Sequence, residues 1–136
     1  MKRWAVLVCA FAMASAAWGQ IKVVYHLNEG IAQATRAIVN IRNHLSADPT
    51  VKIVVVAHGA GIDFLIDGAR NTKGELFAGD IGDLASRGVE FRVCNNTMMA
   101  RNITASQLAL EATVVPSGVA EVARLQAREG CVYFRP

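Results

Sequence analysis

Two periods of hydrophobic and polar positions alternate along the chain. Runs rich in β-branched and apolar residues occur at 21–27 (IKVVYHL), 51–57, 89–93 (VEFRV), 112–115 (ATVV) and 131–135 (CVYFR). Each has the length and composition of a buried strand. Between them, apolar positions return at helical spacing. Ile31, Thr35, Ile38, Ile41 and Leu45 predict a helix that Asn28 is placed to cap and that ends at SADP. The turn HGAG follows the second strand and leads into a short apolar helix, IDFLIDG, and a polar loop, ARNTKGE. Asp80 and Asp83 open a third helix, with Ile81, Leu84 and Ala85 inward and Gly88 as its stop. Residues 97–110 read as one broken helix, and SGVAEVARLQAREG as a capped helix that ends on Gly130.

Strands that alternate with helices of ten or more residues need crossover connections. The expected fold is therefore an α/β class, three-layer α/β/α domain with a mostly parallel five-stranded sheet covered on both faces. Repeats, linkers and low-complexity tracts are missing from the pattern, so one domain is expected.

Residues 1–19 break this rhythm. Lys2 and Arg3 precede an apolar run from Trp4 to Ala14, and small residues follow up to Gly19. That is the build of a secretory signal peptide, with the domain expected at 20–136 and a periplasmic or secreted location. The run is too short for a bilayer core, which takes about 20 residues, so no membrane attachment is expected after cleavage. Cys9 lacks the small residues that precede a lipidated cysteine. Lys2 and Arg3 also carry two of the three units of net positive charge. What remains is close to neutral, which gives no basis for a nucleic-acid surface.

Ligands of open parallel sheets bind beyond the carboxyl ends of the strands. There the first strand ends in His26, the second runs into His58, Gly59 and Gly61, and the third runs into Cys94, Asn95, Asn96 and Thr97. A cysteine just before a helix start faces main-chain N–H groups and a dipole that favour the thiolate, which is the nucleophilic form. The same donors suit an anionic persulfide. His58 is positioned to pair with the thiolate or move a proton, and the glycines allow close main-chain approach or positive φ. Each residue also has a plainer reading: Cys94 as a small buried hydrophobe, His58 bonded to loop backbone, His26 satisfying a neighbouring carbonyl. His26, His58 and Cys94 together could ligate zinc or copper, but no paired-ligand spacing supports this, so neither metal nor cofactor is expected. His44 is read as solvated surface.

Two cysteines, Cys94 and Cys131, remain beyond the leader, and in an exported chain two ordinarily form one disulfide. Cys94 ends its strand whereas Cys131 begins one. In a parallel sheet they would lie roughly 15 Å apart, at about 3.3 Å per residue, and a bridge needs Cα atoms within about 7 Å. Cys94 is expected to stay unpaired, with its sulfur open to small molecules.

In order and spacing, VVYHL, NIRNHL, VVVAHGAGIDFLI, LASRGVEFRVCNNTM, VVPSGVAEVARLQ and the closing YFRP resemble the DsrE/DsrF-like family, in its small, single-domain, often exported branch. The resemblance covers the chain beyond residue 19 and is most specific in GVEFRVCNNTM and VAHGAG. It implies a domain that assembles into homotrimers or homohexamers. It also implies a sulfur relay, in which a cysteine takes sulfur from a small donor as a persulfide and passes it to a thiol on an acceptor protein. Cys94 matches the position of that cysteine, and the reading is sulfurtransferase-like. Cys131 departs from the pattern, where an aromatic or other apolar residue is usual, and is read as a packing substitution. The competing expectation is a binding or assembly module of the same fold without turnover.

Overall fold

The computed structural model describes residues 19–136. The segment read as a signal peptide lies outside the described residues, its final glycine excepted. One sheet contains β1 (Lys22–Leu27), β2 (Lys52–Ala57), β3 (Glu90–Cys94), β4 (Ala112–Val115) and β5 (Val132–Phe134). All pairings are parallel, in the order β4-β3-β2-β1-β5. The crossovers run through α1 (Ile31–Ala47), α2 (Phe77–Ser86), α3 (Asn95–Ala100) and α4 (Gly118–Glu129). The architecture is the three-layer α/β one that the sequence predicts.

The two-residue period of a strand sends successive side chains to opposite faces. On one face Tyr25, Leu27, Ile53, Val55, Phe91 and Val93 join the larger core with α1, α2 and the 3-10 segment Gly59–Leu65. On the other face Val24, Val54 and Val56 meet Val122, Leu125 and Cys131 beneath α4.

Several elements differ from the sequence reading. The N-cap of α1 is Gly30, with no side-chain cap. Gln33, which is buried, does the work from inside the helix: its Oε1 accepts from the N–H groups of Asn28 at 3.0 Å and Glu29 at 2.8 Å. Thr35, placed on the apolar stripe by its spacing, is half-buried and returns its hydroxyl to the Ile31 carbonyl. His44 is half-buried as well, with its Nδ1 2.9 Å from the Tyr25 hydroxyl. IDFLIDG is not a separate helix; Ile62, Phe64 and Leu65 belong to the 3-10 segment that begins at Gly59, and Ile66 is its extended C-cap. α2 begins at Phe77, so Asp80 lies inside the first turn, bonded to Arg42 at 2.5 Å. The broken helix read at 97–110 is the short α3, a turn through Asn102 at φ 53, and a 3-10 turn, Ala105–Gln107. Because α3 begins at Asn95, Cys94 is its N-cap.

Candidate functional site

Connection geometry creates the site. After β3 the chain turns toward the larger core, where Met98 of α3 is buried. After β4 it turns to the opposite face as α4. Adjacent strands whose helices leave to opposite sides leave a crevice between them. Cys94, at the end of β3, stands in that crevice, between the first turns of α3 and α4.

The two-residue period then sets a row of side chains across the carboxyl end of the sheet on the α4 face: Tyr133 from β5, His26 from β1, His58 just past β2, and Cys94. His26 Nε2 lies 2.6 Å from His58 Nε2, and His26 Nδ1 lies 2.6 Å from the Tyr133 hydroxyl. The two imidazole rings are stacked, with centroids 4.8 Å apart. Gly118 seats α4 against this row. A β-carbon there would be 2.9 Å from the His58 Cβ and 3.2 Å from the Cys94 Cβ, so only glycine lets the helix come this close.

The Cys94 thiol is held below its ordinary range. Burial pushes it up, but this is outweighed by the pull of nearby donors, the Gly118 main-chain N–H, the Thr97 hydroxyl, and the main-chain N–H groups of Thr97 and Asn96, although none closes a side-chain cap on α3. The Thr97 oxygen also accepts from the Gly59 N–H at 2.9 Å, tying the turn after β2 to the thiol's surroundings. Cys131 shows the opposite case: burial and then the Glu129 carboxylate push its thiol up. Both cysteines are free. His26 is held below the ordinary histidine range by burial, then by His58 and Arg135, and His58 is held down by burial.

Of the residues singled out in the sequence, the structure brings together Cys94, Thr97, His58 and His26, with the main chain of Asn96 and of Gly59. The amide of Asn95 instead donates to the Met99 sulfur at 3.3 Å, and the Asn96 side chain is exposed. What Gly61 approaches closely is the chain itself, since a β-carbon there would lie 2.2 Å from the Leu27 carbonyl oxygen. The sulfur is not open. Cys94 is 4% exposed, because the first turn of α4 lies over it. Two participants were missed. Gly118 looked like part of a helix cap, although a glycine at a first helical position is a poor helix former and signals close approach. Tyr133 could have been found by carrying strand parity into the last run. Among the described residues no group of three or more His, Cys, Asp or Glu is placed to hold a metal ion.

These features define a small three-layer α/β domain with one ionisable cysteine at the switch point of its sheet. The chain belongs to the DsrE/DsrF-like family, which matches residues 5–132. Among solved structures it is similar to the protein of unknown function MTH1491 from Methanobacterium thermoautotrophicum. The two are 32% identical with a TM-score of 0.77, over 86% of this chain and 100% of that one. It is also similar in fold to the ychN protein from E. coli, at 10% identity and a TM-score of 0.63, over 85% and 98% of the two chains. None of the curated proteins matches it.

Proposed function

We propose that the protein is a sulfur carrier that holds a persulfide on Cys94 and hands it to a thiol on an acceptor protein. One observation carries the reading: a single free thiol stands at the N-cap of α3 with Gly118 of α4 packed against it, and the donors of these two helix starts favour its anion. Membership of the DsrE/DsrF-like family supports it.

The Cys94 thiolate attacks the outer sulfur of a sulfane donor. A sulfur–sulfur bond forms to Cys94, the donor's own sulfur–sulfur bond breaks, and the leaving group keeps the electron pair, as sulfite does when thiosulfate is the donor. An acceptor thiolate then attacks the terminal sulfur of the persulfide and returns Cys94 to its thiolate. The donors that favour the first anion also suit the persulfide anion. The signal-peptide pattern of residues 1–19 supports action in the periplasm or outside the cell, and the family resemblance supports a homotrimer or homohexamer.

Incubation with polysulfide or thiosulfate, followed by mass spectrometry that preserves persulfides, tests the reading. One added sulfur on the Cys94 peptide is expected, with complete loss in Cys94→Ala. The same mass increment in Cys94→Ala would refute it. The 4% exposure of Cys94 favours a second reading, a binding or assembly module without turnover. That reading gains if Cys94 resists alkylation in the native protein.

A further inference from the structure

We propose that Glu121, through its ion pair with Arg92, is the positioning residue that seats the first turn of α4 on the Cys94 sulfur. Glu121 is 9% exposed and is the buried charged residue among those described. Its Oε1 accepts from Arg92, which also bonds Glu90 at 2.5 Å. Arg124 of the same helix also bonds both Glu121 oxygens, at 2.8 and 3.0 Å, but this contact lies within α4 and does not tie the helix to the strand. Arg92 precedes Cys94 by two residues on β3 and shares its face. Glu121 follows Gly118 by three, one turn along the same side of α4. The ion pair and the Gly118 contact are therefore neighbouring ties between one helix and one strand.

Packing alone gives α4 little register. Its apolar grip is Val122 and Leu125 against a smooth valine surface, Val24, Val54 and Val56. A buried ion pair adds little net stability once desolvation is counted, and fixing register is its best-attested use. Here the register decides whether the Gly118 N–H points at the sulfur.

The charged and titratable groups on the face that holds Cys94 include Tyr133, His26 and His58 along the strand ends, Glu90 and Arg92 from β3, and Glu121 and Arg124 from α4; α3 and β4 carry none. This permits a test by sign. Removing the Glu121 charge would, by Coulomb's law alone, make the thiol easier to ionise. Unseating the Gly118 N–H makes it harder.

The test is the pH profile of iodoacetamide alkylation at Cys94, resolved by peptide from Cys131, in the wild type and in Glu121→Gln, Glu121→Ala and Arg124→Met. The expected result is an inflection displaced to higher pH in both Glu121 variants. Each pH unit of displacement gives a roughly tenfold lower rate below the inflection. The plateau rate should rise as the cover lifts, and Cys131 and Arg124→Met should keep their wild-type profiles. An unmoved or downward inflection in Glu121→Gln overturns the proposal, as does an equal displacement in Arg124→Met. If Glu121→Ala does not fold, Glu121→Gln decides alone. The inference rests on Cys94 being the working sulfur, but alkylation needs no sulfur donor. A wild type that takes up no sulfur sinks the carrier reading and leaves this profile to be judged by itself.

Discussion

The two faces of the sheet are built on different principles. On one, α1, α2 and a 3-10 segment bury large apolar side chains, with Phe64 set edge-on to Phe77 and Phe91 at centroid distances of 5.7 and 6.1 Å. On the other, a single helix lies on small valines, and the space that larger side chains would fill holds an arginine–glutamate ion pair, two imidazoles and a thiol. One strand serves both faces: in β3, Phe91 and Val93 go to the packed side, while Arg92 and Cys94 go to the side with the chemistry. Such a division lets stability and reactivity be set by different residues, because an apolar core tolerates no charge whereas a thiolate needs donors. Each variant below asks whether the two faces are separable.

The largest effect should come from the packed face. Phe64→Ala removes a fully buried ring and leaves a cavity, at a cost of about 3–5 kcal/mol in unfolding free energy. If the faces are independent, the surviving folded protein keeps the wild-type pH inflection for Cys94 alkylation. Chemical denaturation gives the first quantity, and peptide-resolved alkylation the second. A displaced inflection would show that the packed face also shapes the thiol.

Gly118→Ala works from the other side. Its methyl group would fall 2.9 Å from the His58 Cβ and 3.2 Å from the Cys94 Cβ, neither of which can swing away as a flexible chain end can. The helix start must therefore shift. Overpacking of this kind costs about 1–3 kcal/mol, and losing the Gly118 N–H should raise the pH at which Cys94 ionises. Stability falling with no change in alkylation would mean that Gly118 is merely a spacer.

How much of this was legible depends on whether a signal is local. All five strands and the α4 caps were readable, since β-branched runs, Ser117 and Gly130 act through their own neighbours; the Ser117 oxygen does accept from Ala120 N–H, and Gly130 has φ 69. The end of β3 was readable for the same reason, which is why Cys94 could be placed at the close of a strand and Thr97 just beyond it. What failed was long-range. Asn28 has the right chemistry for a cap, but the buried Gln33 side chain reached that loop first. Nothing local says that Gly118 lies over a cysteine 24 positions earlier, or that Tyr133 meets His26 across a strand pairing. The exposure expected of Cys94 failed likewise, because α4 covers it from a distant stretch of sequence.

The smallest effect separates the faces by pH. His26 and His58, both on the α4 face, are held below the ordinary histidine value of 6.5, chiefly by burial. In the unfolded chain each returns to about that value. As pH falls through 6.5 the unfolded chain takes up protons that the folded pair does not, so stability falls with falling pH; above that value both states are neutral and the dependence disappears. The Nε2–Nε2 hydrogen bond strengthens the effect, since one ring must accept, and two protonated rings offer only donors. Glu90 and Glu121, held below the ordinary carboxylate value of 4.5, lose their contribution only at lower pH, which leaves the histidine window clear. Urea midpoints measured at several pH values from about 7.5 down to about 5 should therefore decline on the acid side, and should flatten in a His26→Gln, His58→Gln double variant. A decline that persists undiminished in the double variant would place its source away from this row.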